Sequence, residues 1–254
     1  MNKFYVIFKE WFNIFCRIDE IDIPLVFTGT SPFIGAGQFG EKAFEWQRKF
    51  LNNPKAMLEI LEVSYGEGAR GIEVIPAGRI IETAQIMSET YNDYVITGST
   101  YPGKNSGIDV LIEVGAKIIF VHGMISDTRG RELLNLLDQI SSNGIIPGVA
   151  THDPITTIQY CIEESINVKA FLIPFNANGM LMGNMKKLEE IVDKTKNFYF
   201  IGMKTLAAGR IDPKHAFQYI SNHNICAVTI GIVTTQQAKE STRIALEVLN
   251  NRIK

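Results

Sequence analysis

The chain of 254 residues has little of what marks several common protein classes. It contains only three cysteines, Cys16, Cys161 and Cys226, and their odd number and wide spacing give neither a disulfide framework nor a zinc-ligand pattern. We therefore expect buried thiols in a reducing compartment. The formal net charge of −2 provides no basic footprint for a nucleic acid.

Long apolar runs and linker-like stretches are also missing. No run reaches membrane-spanning length, and the N-terminus lacks an uninterrupted apolar core followed by a small-residue cleavage site. These absences predict a cytoplasmic protein with neither membrane nor nucleic-acid partners. Because no Ser/Gly-rich or Pro-rich segment divides the chain, we expect an N-terminal extension (residues 1–23) followed by a single domain (residues 24–254).

The extension has its large apolar residues at helical spacing, namely Phe4, Phe8, Trp11, Phe15 and Ile18. This pattern predicts a helix that covers the bottom of the domain. A helix at a membrane surface or dimer interface is the functional alternative, but its polar side is not enriched in Lys or Arg. The segment FYVIF would also suit a strand.

The remaining sequence alternates short apolar runs with amphipathic, helix-like segments. The first run begins at Leu25 and leads into a glycine-rich loop that ends at Gly40; the others lie at 72–75, 94–98, 117–123, 145–153, 169–176, 198–203 and 226–233. Eight strand–helix units of roughly 25–30 residues account for a (βα)₈ TIM barrel. A doubly wound open sheet is the alternative, although such a sheet seldom contains eight equal units.

The last two units, residues 198–240, show the pattern most clearly. Asp212 is placed to cap a helix that has Pro213 in its first turn, where a missing N–H costs nothing. Polar and small residues follow both strands: Lys204, Gly209 and Arg210 after the seventh, Thr234 and Thr235 after the eighth. In barrels the loops after the strands form the functional face.

Residues at the carboxyl ends of barrel strands converge on one pocket, and period-two alternation selects those that point inward. In the seventh strand this alternation places Phe200, Gly202 and Lys204 on one face. The predicted catalytic residues are Glu73, His122, His152 and Lys204, and the predicted substrate-binding residues are Ser99 and Asn176. No metal site is predicted.

Lys204 ends an apolar strand, so its ammonium needs either an acid or a solvated pocket. Glu73 is the natural partner, and a partly buried Lys–Glu pair would suit proton transfer or substrate anchoring. A purely structural ion pair is the alternative. Likewise, His122 could be a core histidine, and His152 could belong only to a helix entry capped by Asp153.

The loops after the seventh and eighth strands are where many barrels hold a phosphate with backbone N–H groups and a helix N-terminus. Gly209, Arg210, Thr234 and Thr235 are the predicted cofactor-binding residues. The alternative is that small residues there serve only the turns.

From the fourth strand onward, four segments are distinctive: KIIFVHG, IPGVATHDP, MKTLAAGR and AVTIGIVTTQQAKES. In these segments the sequence resembles the aldo/keto reductase family. It implies a TIM barrel, a role for His122, and a nicotinamide cofactor such as NADPH lying across Lys204–Arg210 and Gly231–Thr235. The family's Asp and Tyr are absent from IEVIPAGRIIETA, and Gly98-Ser99 stands where the family has its Lys, so the active site departs from the family's tetrad.

Three functional hypotheses follow. The first is an enzyme that acts on a small carbonyl- or phosphate-bearing metabolite, as an oxidoreductase with a nicotinamide dinucleotide. The second is a lyase or aldolase in which Lys204 forms a Schiff base, which requires a lowered lysine pKa. The third is a barrel that binds a small molecule without turnover, with the segment 35–50 plugging the mouth. A homo-oligomer is compatible with each of them.

Overall fold

The computed structural model describes residues 14–103 and 105–251. The strands are β1 Phe15–Ile18, β2 Ile21–Pro24, β3 Val26–Gly29, β4 Gly71–Val74, β5 Val95–Ser99, β6 Ile118–Val121, β7 Ile146–Ala150, β8 Ala170–Pro174, β9 Tyr199–Met203 and β10 Ala227–Gly231. The α-helices are α1 Lys42–Phe50, α2 Pro54–Gly66, α3 Ile80–Thr90, α4 Ile108–Glu113, α5 Gly123–Ser126, α6 Arg131–Ser142, α7 Pro154–Glu163, α8 Met185–Lys194, α9 Pro213–Ser221 and α10 Thr235–Asn250. Short 3-10 turns span Gly37–Phe39 and Ala207–Gly209.

Strands β3 to β10 close into a parallel barrel, with β10 pairing back onto β3. Consecutive strands are neighbours throughout, and at least one helix follows each of them. The predicted (βα)₈ TIM barrel is therefore confirmed. Each of the eight predicted apolar runs contains or overlaps one of these strands.

Two apolar layers hold the barrel together. Inside it, Phe27, Phe120, Leu172 and Ile201 belong to one buried cluster. Between the strands and the helices lies a larger cluster, to which Phe200 contributes. Since both faces of each strand are covered, the strands read as continuous apolar runs rather than as alternating ones.

An antiparallel hairpin of β1 and β2 precedes the barrel. Ile18 and Ile23 are fully buried in the same cluster as Phe27, so the hairpin closes the amino-terminal end of the barrel. The expected helix is therefore wrong where it included Phe15 and Ile18, because the chain turns back at Asp19, whose φ is 51°. Phe4, Phe8 and Trp11 lie outside the described residues.

The hairpin also changes the interpretation of the cysteines. Cys16 on β1 and Cys226 beside β10 form a disulfide, with their Cα atoms 6.3 Å apart, although 210 residues separate them in sequence. The expectation of three separate thiols is wrong for this pair, because only the folded barrel brings the two residues together. Cys161 is a free, buried thiol, and burial raises its pKa to about 12.

Helix starts follow the sequence signals. The Asn53 side chain accepts a hydrogen bond from the Ala56 N–H at the start of α2, and Asp212 does the same for the His215 N–H at the start of α9. Pro54 and Pro213 occupy the first turns. None of the helices in the described part of the chain has the length and apolar character needed to cross a membrane.

Candidate active site

At the carboxyl end of the barrel, the mouth contains a buried carboxyl group. Glu73 on β4 is 4% exposed, and its Oε1 accepts a hydrogen bond of 2.7 Å from the Ser99 hydroxyl on β5. Burial raises the pKa of Glu73 to about 7, against the opposing effects of the Ser99 hydrogen bond and the Lys204 charge. Near neutral pH this carboxyl can therefore hold or release a proton.

Lys204 follows β9 and brings an amine to the same region. Its Nζ donates a hydrogen bond of 2.6 Å to the Gln38 Oε1, and no carboxylate of the described residues lies within 4.0 Å of it. Burial lowers the pKa of Lys204 to about 8, although the Glu73 charge raises it. The amine therefore releases its proton at a lower pH than an ordinary lysine does.

The backbone explains how Lys204 reaches the mouth. The prediction that Phe200 and Gly202 face inward is wrong: Phe200 packs in the cluster under the helices, and a Cβ at Gly202 would meet Ile225 and Val228 on that side. Lys204 departs from the alternation because its φ is 56°, in the left-handed region. For a non-glycine residue this conformation is costly, and such residues cluster at functional sites.

Two imidazoles lie side by side where β6 and β7 end. The ring centroids of His122 and His152 are 5.8 Å apart. The Nδ1 of His122 accepts a hydrogen bond of 3.2 Å from the Met124 N–H, so a neutral His122 carries its proton on Nε2. Burial is the main cause that lowers the pKa of both rings. The His152 charge and then the Lys204 charge lower the pKa of His122 further, the Lys204 charge lowers that of His152, and Asp127 raises both.

Asp127, at the end of α5, is a member of this group that the sequence did not reveal. Its Oδ1 accepts hydrogen bonds from the hydroxyls of Thr151 and Thr157, and its Oδ2 accepts one of 2.9 Å from the His152 N–H. The neighbouring Ser126 hydroxyl bonds the Ala150 carbonyl on β7. Together these contacts fasten the loop after β6 to the loop after β7.

Ser99 and Asn176 have other partners than a substrate. The Ser99 hydroxyl is bonded to Glu73, as described above. Asn176 is fully buried; its side-chain amide donates to the Met180 carbonyl and its side-chain oxygen accepts from the Met180 N–H. This side chain therefore organises the loop after β8.

A cavity of about 740 Å³ adjoins this group on the side of β3, β9 and β10. Its polar and charged lining consists of Ser31, Gln38, Lys42, Lys204, Thr205, Arg210, Thr229, Gln237, Glu240 and Ser241. Of the predicted catalytic residues, Lys204 lines this cavity and Glu73, His122 and His152 do not. Each of those three residues is close enough to Lys204 for the two side chains to interact electrostatically. The segment 35–50 forms one side of the cavity through Gln38, Trp46 and their neighbours, and it does not fill the cavity.

The predicted cofactor residues divide into two groups. Gly209 and Arg210 line the cavity directly. Thr234 caps α10, where its hydroxyl accepts from the Gln237 N–H, and Thr235 opens the first helical turn. The hydroxyl of Thr229, which also lines the cavity, is buried without a hydrogen-bond partner among the described residues. The residues that the structure describes contain no group of three or more His, Cys, Asp or Glu able to hold a metal ion.

Comparison with known proteins bears on the fold. No family model matches the chain, and no curated protein matches its sequence. Among solved structures, a Pseudomonas aeruginosa protein described as an aldo-keto reductase has a TM-score of 0.69 at 14% identity, over 93% of this chain and 96% of that one. A Gox0644 mutant in complex with NADPH has a TM-score of 0.61 at 11% identity, over 94% and 93%.

A different enzyme class also has this topology. The 2-keto-3-deoxy-6-phosphogluconate aldolase of Zymomonas mobilis, solved with 3-phosphoglycerate, has a TM-score of 0.52 at 18% identity, over 78% of this chain and 87% of that one. At these identities the likeness is one of fold. The chain therefore has the (βα)₈ barrel fold of these reductases and this aldolase, and the TIM barrel is the fold that the sequence resemblance implied.

Proposed function

We propose that this barrel is an enzyme that acts on a small, anionic carbonyl compound, with a nicotinamide dinucleotide held in the cavity beside Lys204. The observation that carries the proposal is the meeting of two features at one place. An open cavity with three cationic side chains, Lys42, Lys204 and Arg210, adjoins a buried group of proton-carrying residues. Perturbed titratable groups beside a cavity are typical of active sites.

The residues present fit a phosphate-bearing ligand. Against the three cationic residues stands one acidic lining residue, Glu240, so the lining favours an anion. The unpartnered Thr229 hydroxyl offers a buried polar contact, and the first-turn N–H groups of α10 open nearby. A bound nicotinamide dinucleotide would supply or accept a hydride at a carbonyl carbon.

The chain's own residues would do the rest. Lys204 in its ammonium form would polarise the carbonyl oxygen, and Arg210 would hold a phosphate. Glu73 and the imidazole pair can exchange protons near neutral pH. Because the family's tyrosine donor has no counterpart after β4, the proton for the carbonyl oxygen would come from this group instead.

Titration of the full chain with NADPH, by fluorescence or calorimetry, tests the cofactor assignment. We expect saturable binding that Arg210→Ala weakens by about tenfold or more, since a charge-assisted contact contributes about 1.5–3 kcal/mol. Arg243→Ala is the matched control, because Arg243 is exposed on α10, pairs with Glu247 and does not line the cavity. No binding at millimolar NADPH would reject the oxidoreductase assignment.

A second candidate is a lyase or aldolase that uses Lys204 as a nucleophile. The observation that favours it is that the hydrogen-bond acceptor of the amine is the uncharged Gln38 amide oxygen, while burial lowers the pKa of Lys204 to about 8. The neutral amine would attack the carbonyl carbon; its nitrogen would then lose a proton and the carbonyl oxygen would gain one, which gives a carbinolamine. Protonation of that hydroxyl releases water and leaves a protonated imine.

Reductive trapping separates this candidate from the first. The chain is incubated with small 2-oxo acids and phosphorylated aldehydes and ketones, and then with borohydride. The lyase candidate predicts a stable mass increase on Lys204 in the wild type and none at that position in Lys204→Met. Trapping without NADPH binding favours the lyase, and NADPH binding without trapping favours the oxidoreductase. If neither occurs, the remaining hypothesis is a barrel that binds without turnover.

A further inference from the structure

The contacts of Asp127 account for three of its acceptor positions. A carboxylate has about four lone-pair positions. The hydroxyls of Thr151 and Thr157 donate hydrogen bonds to Oδ1, and the backbone N–H of His152 donates one to Oδ2. The side chain of Asp127 is 22% exposed, so its carboxylate is held in place and largely shielded from solvent. One acceptor position of Oδ2 remains.

That oxygen faces the imidazole of His152. The distance from Oδ2 to Nδ1 is 3.9 Å, which is within ion-pair range but longer than a hydrogen bond. The ring is seated over Gly123, where an added Cβ would lie 2.6 Å from the His152 Nδ1 and 3.4 Å from the Asp127 Oδ2. The missing side chain at Gly123 is therefore what allows the ring to approach the carboxylate.

We propose that Asp127 is the positioning residue of His152: its fixed carboxylate keeps the proton on Nδ1, so that His152 presents Nε2 to the mouth as an acid–base group. The inference rests on the proposed function only for the use made of Nε2, since either candidate reaction needs a proton carrier. The logic is that of a carboxylate that selects the tautomer of a catalytic imidazole.

The two imidazoles would then have different roles. His122 uses Nδ1 to accept the Met124 N–H, so its tautomer is set by the backbone. His152 has its tautomer set by a side chain that carries charge. The charged groups around His152 are Lys204 from the end of β9, His122 from the end of β6 and Asp127 from α5, while Arg129 is paired with Asp153 at 3.2 Å. Lys204 opposes a positive charge on the ring and Asp127 favours it.

The test is to follow the histidine side chains of the full chain by long-range ¹H–¹⁵N NMR without ligand. The chain has four histidines, His122, His152, His215 and His223, so each ring can be assigned by substitution. We expect neutral wild-type His152 to carry its proton on Nδ1. Asp127→Asn should move the proton to Nε2 and shift the titration midpoint of His152 to lower pH, because an attractive charge is lost.

Two further variants separate positioning from a structural role. Thr157→Val removes one donor to the same carboxylate, and we expect it to lower the melting temperature while His152 keeps its Nδ1 proton. Gly123→Ala leaves the carboxylate in place but displaces the ring, so it should change the tautomer as Asp127→Asn does. Asp127→Glu, which keeps the charge, should retain the higher midpoint even if Asp127→Asn folds poorly.

The assay contains its own control. His223 Nδ1 lies 2.9 Å from the Asp193 Oδ2. Asp193→Asn should therefore change the ring ¹⁵N signals of His223 and leave those of His152 unchanged. A wild-type His152 protonated on Nε2 would overturn the proposal. So would an Asp127→Asn variant that is folded but has the wild-type tautomer and midpoint. None of these readouts requires NADPH or a substrate, so they remain informative if the proposed function fails.

Discussion

The two ends of the barrel contain different kinds of residues: the amino-terminal end is mainly apolar, and the carboxyl end contains buried titratable groups. At the amino-terminal end the hairpin buries Ile18 and Ile23 against Phe27, and a disulfide joins Cys16 to Cys226. At the carboxyl end the buried groups include Glu73, and Lys204 has a left-handed backbone. The first end lowers the free energy of the fold, whereas the second contains groups that cost free energy and are suited to chemistry.

The largest expected effect comes from the closed end. Phe27→Ala should lower the free energy of unfolding by about 3–5 kcal/mol, because a fully buried ring leaves a cavity. Urea unfolding followed by circular dichroism measures it. Phe44→Ala is the matched control; that ring is 66% exposed, and its loss should change stability by less than about 0.5 kcal/mol. Equal effects of the two substitutions would contradict the closed-end core.

The disulfide should give the next largest effect. Reduction with dithiothreitol is expected to lower the free energy of unfolding by about 2–4 kcal/mol, since the bond restrains a long loop of the unfolded chain. Cys16→Ala should lower it similarly and make it insensitive to the reductant. A wild type with the same stability in the presence and absence of reductant would show that the hairpin is held by packing alone.

The sequence predicts the barrel well because each strand is an apolar run bounded by turns. Faces were predictable in β6, β7 and β8, where Phe120, Ala150 and Leu172 are in the interior cluster as alternation implies. In β9 the predicted inward and outward faces are reversed: Ile201 lies inside the barrel and Phe200 lies under the helices. Both faces of that strand are buried and apolar, so the pattern does not distinguish Ile201 from Phe200.

The site is predictable only in part for a related reason. Glu73, His122, His152 and Lys204 could be named because polar residues at or near the ends of apolar strands are conspicuous. Asp127 and Gln38 lie outside the strands, and their roles depend on contacts with residues 24 or more positions away in sequence. The hairpin was missed because apolar residues at helical spacing over a short segment also suit two four-residue strands.

A third expectation uses pH to separate the two ends. Between pH 4.5 and 7 folded Glu73 holds a proton that the unfolded chain releases, so its contribution to stability falls as pH rises. Between pH 8 and 10.5 the unfolded chain holds a Lys204 proton that the folded state has released, so stability rises again. These two groups therefore place a minimum near pH 7–8, about 1–3 kcal/mol deep.

Unfolding curves of Glu73→Gln and Lys204→Met across this range test the assignment. In Glu73→Gln the fall in stability between pH 4.5 and 7 should disappear, and in Lys204→Met the rise in stability between pH 8 and 10.5 should disappear. Differences from the wild type are compared, which cancels the titration of surface groups. If the difference in the free energy of unfolding between the wild type and a variant does not vary with pH, the substituted residue is not the source of that part of the pH dependence.

The smallest expected effect concerns two threonines whose hydroxyls are buried without a partner among the described residues. Thr229 on β10 lines the cavity, and Thr28 on β3 does not. Thr→Val keeps the shape and removes an unsatisfied hydroxyl, so each variant should be more stable by about 1 kcal/mol. If the Thr229 hydroxyl is there to contact a ligand, Thr229→Val alone should weaken NADPH binding, whereas Thr28→Val should bind as the wild type does. Equal affinities of the two variants would remove Thr229 from the proposed site and leave its unpaired hydroxyl as a cost to the fold without a use.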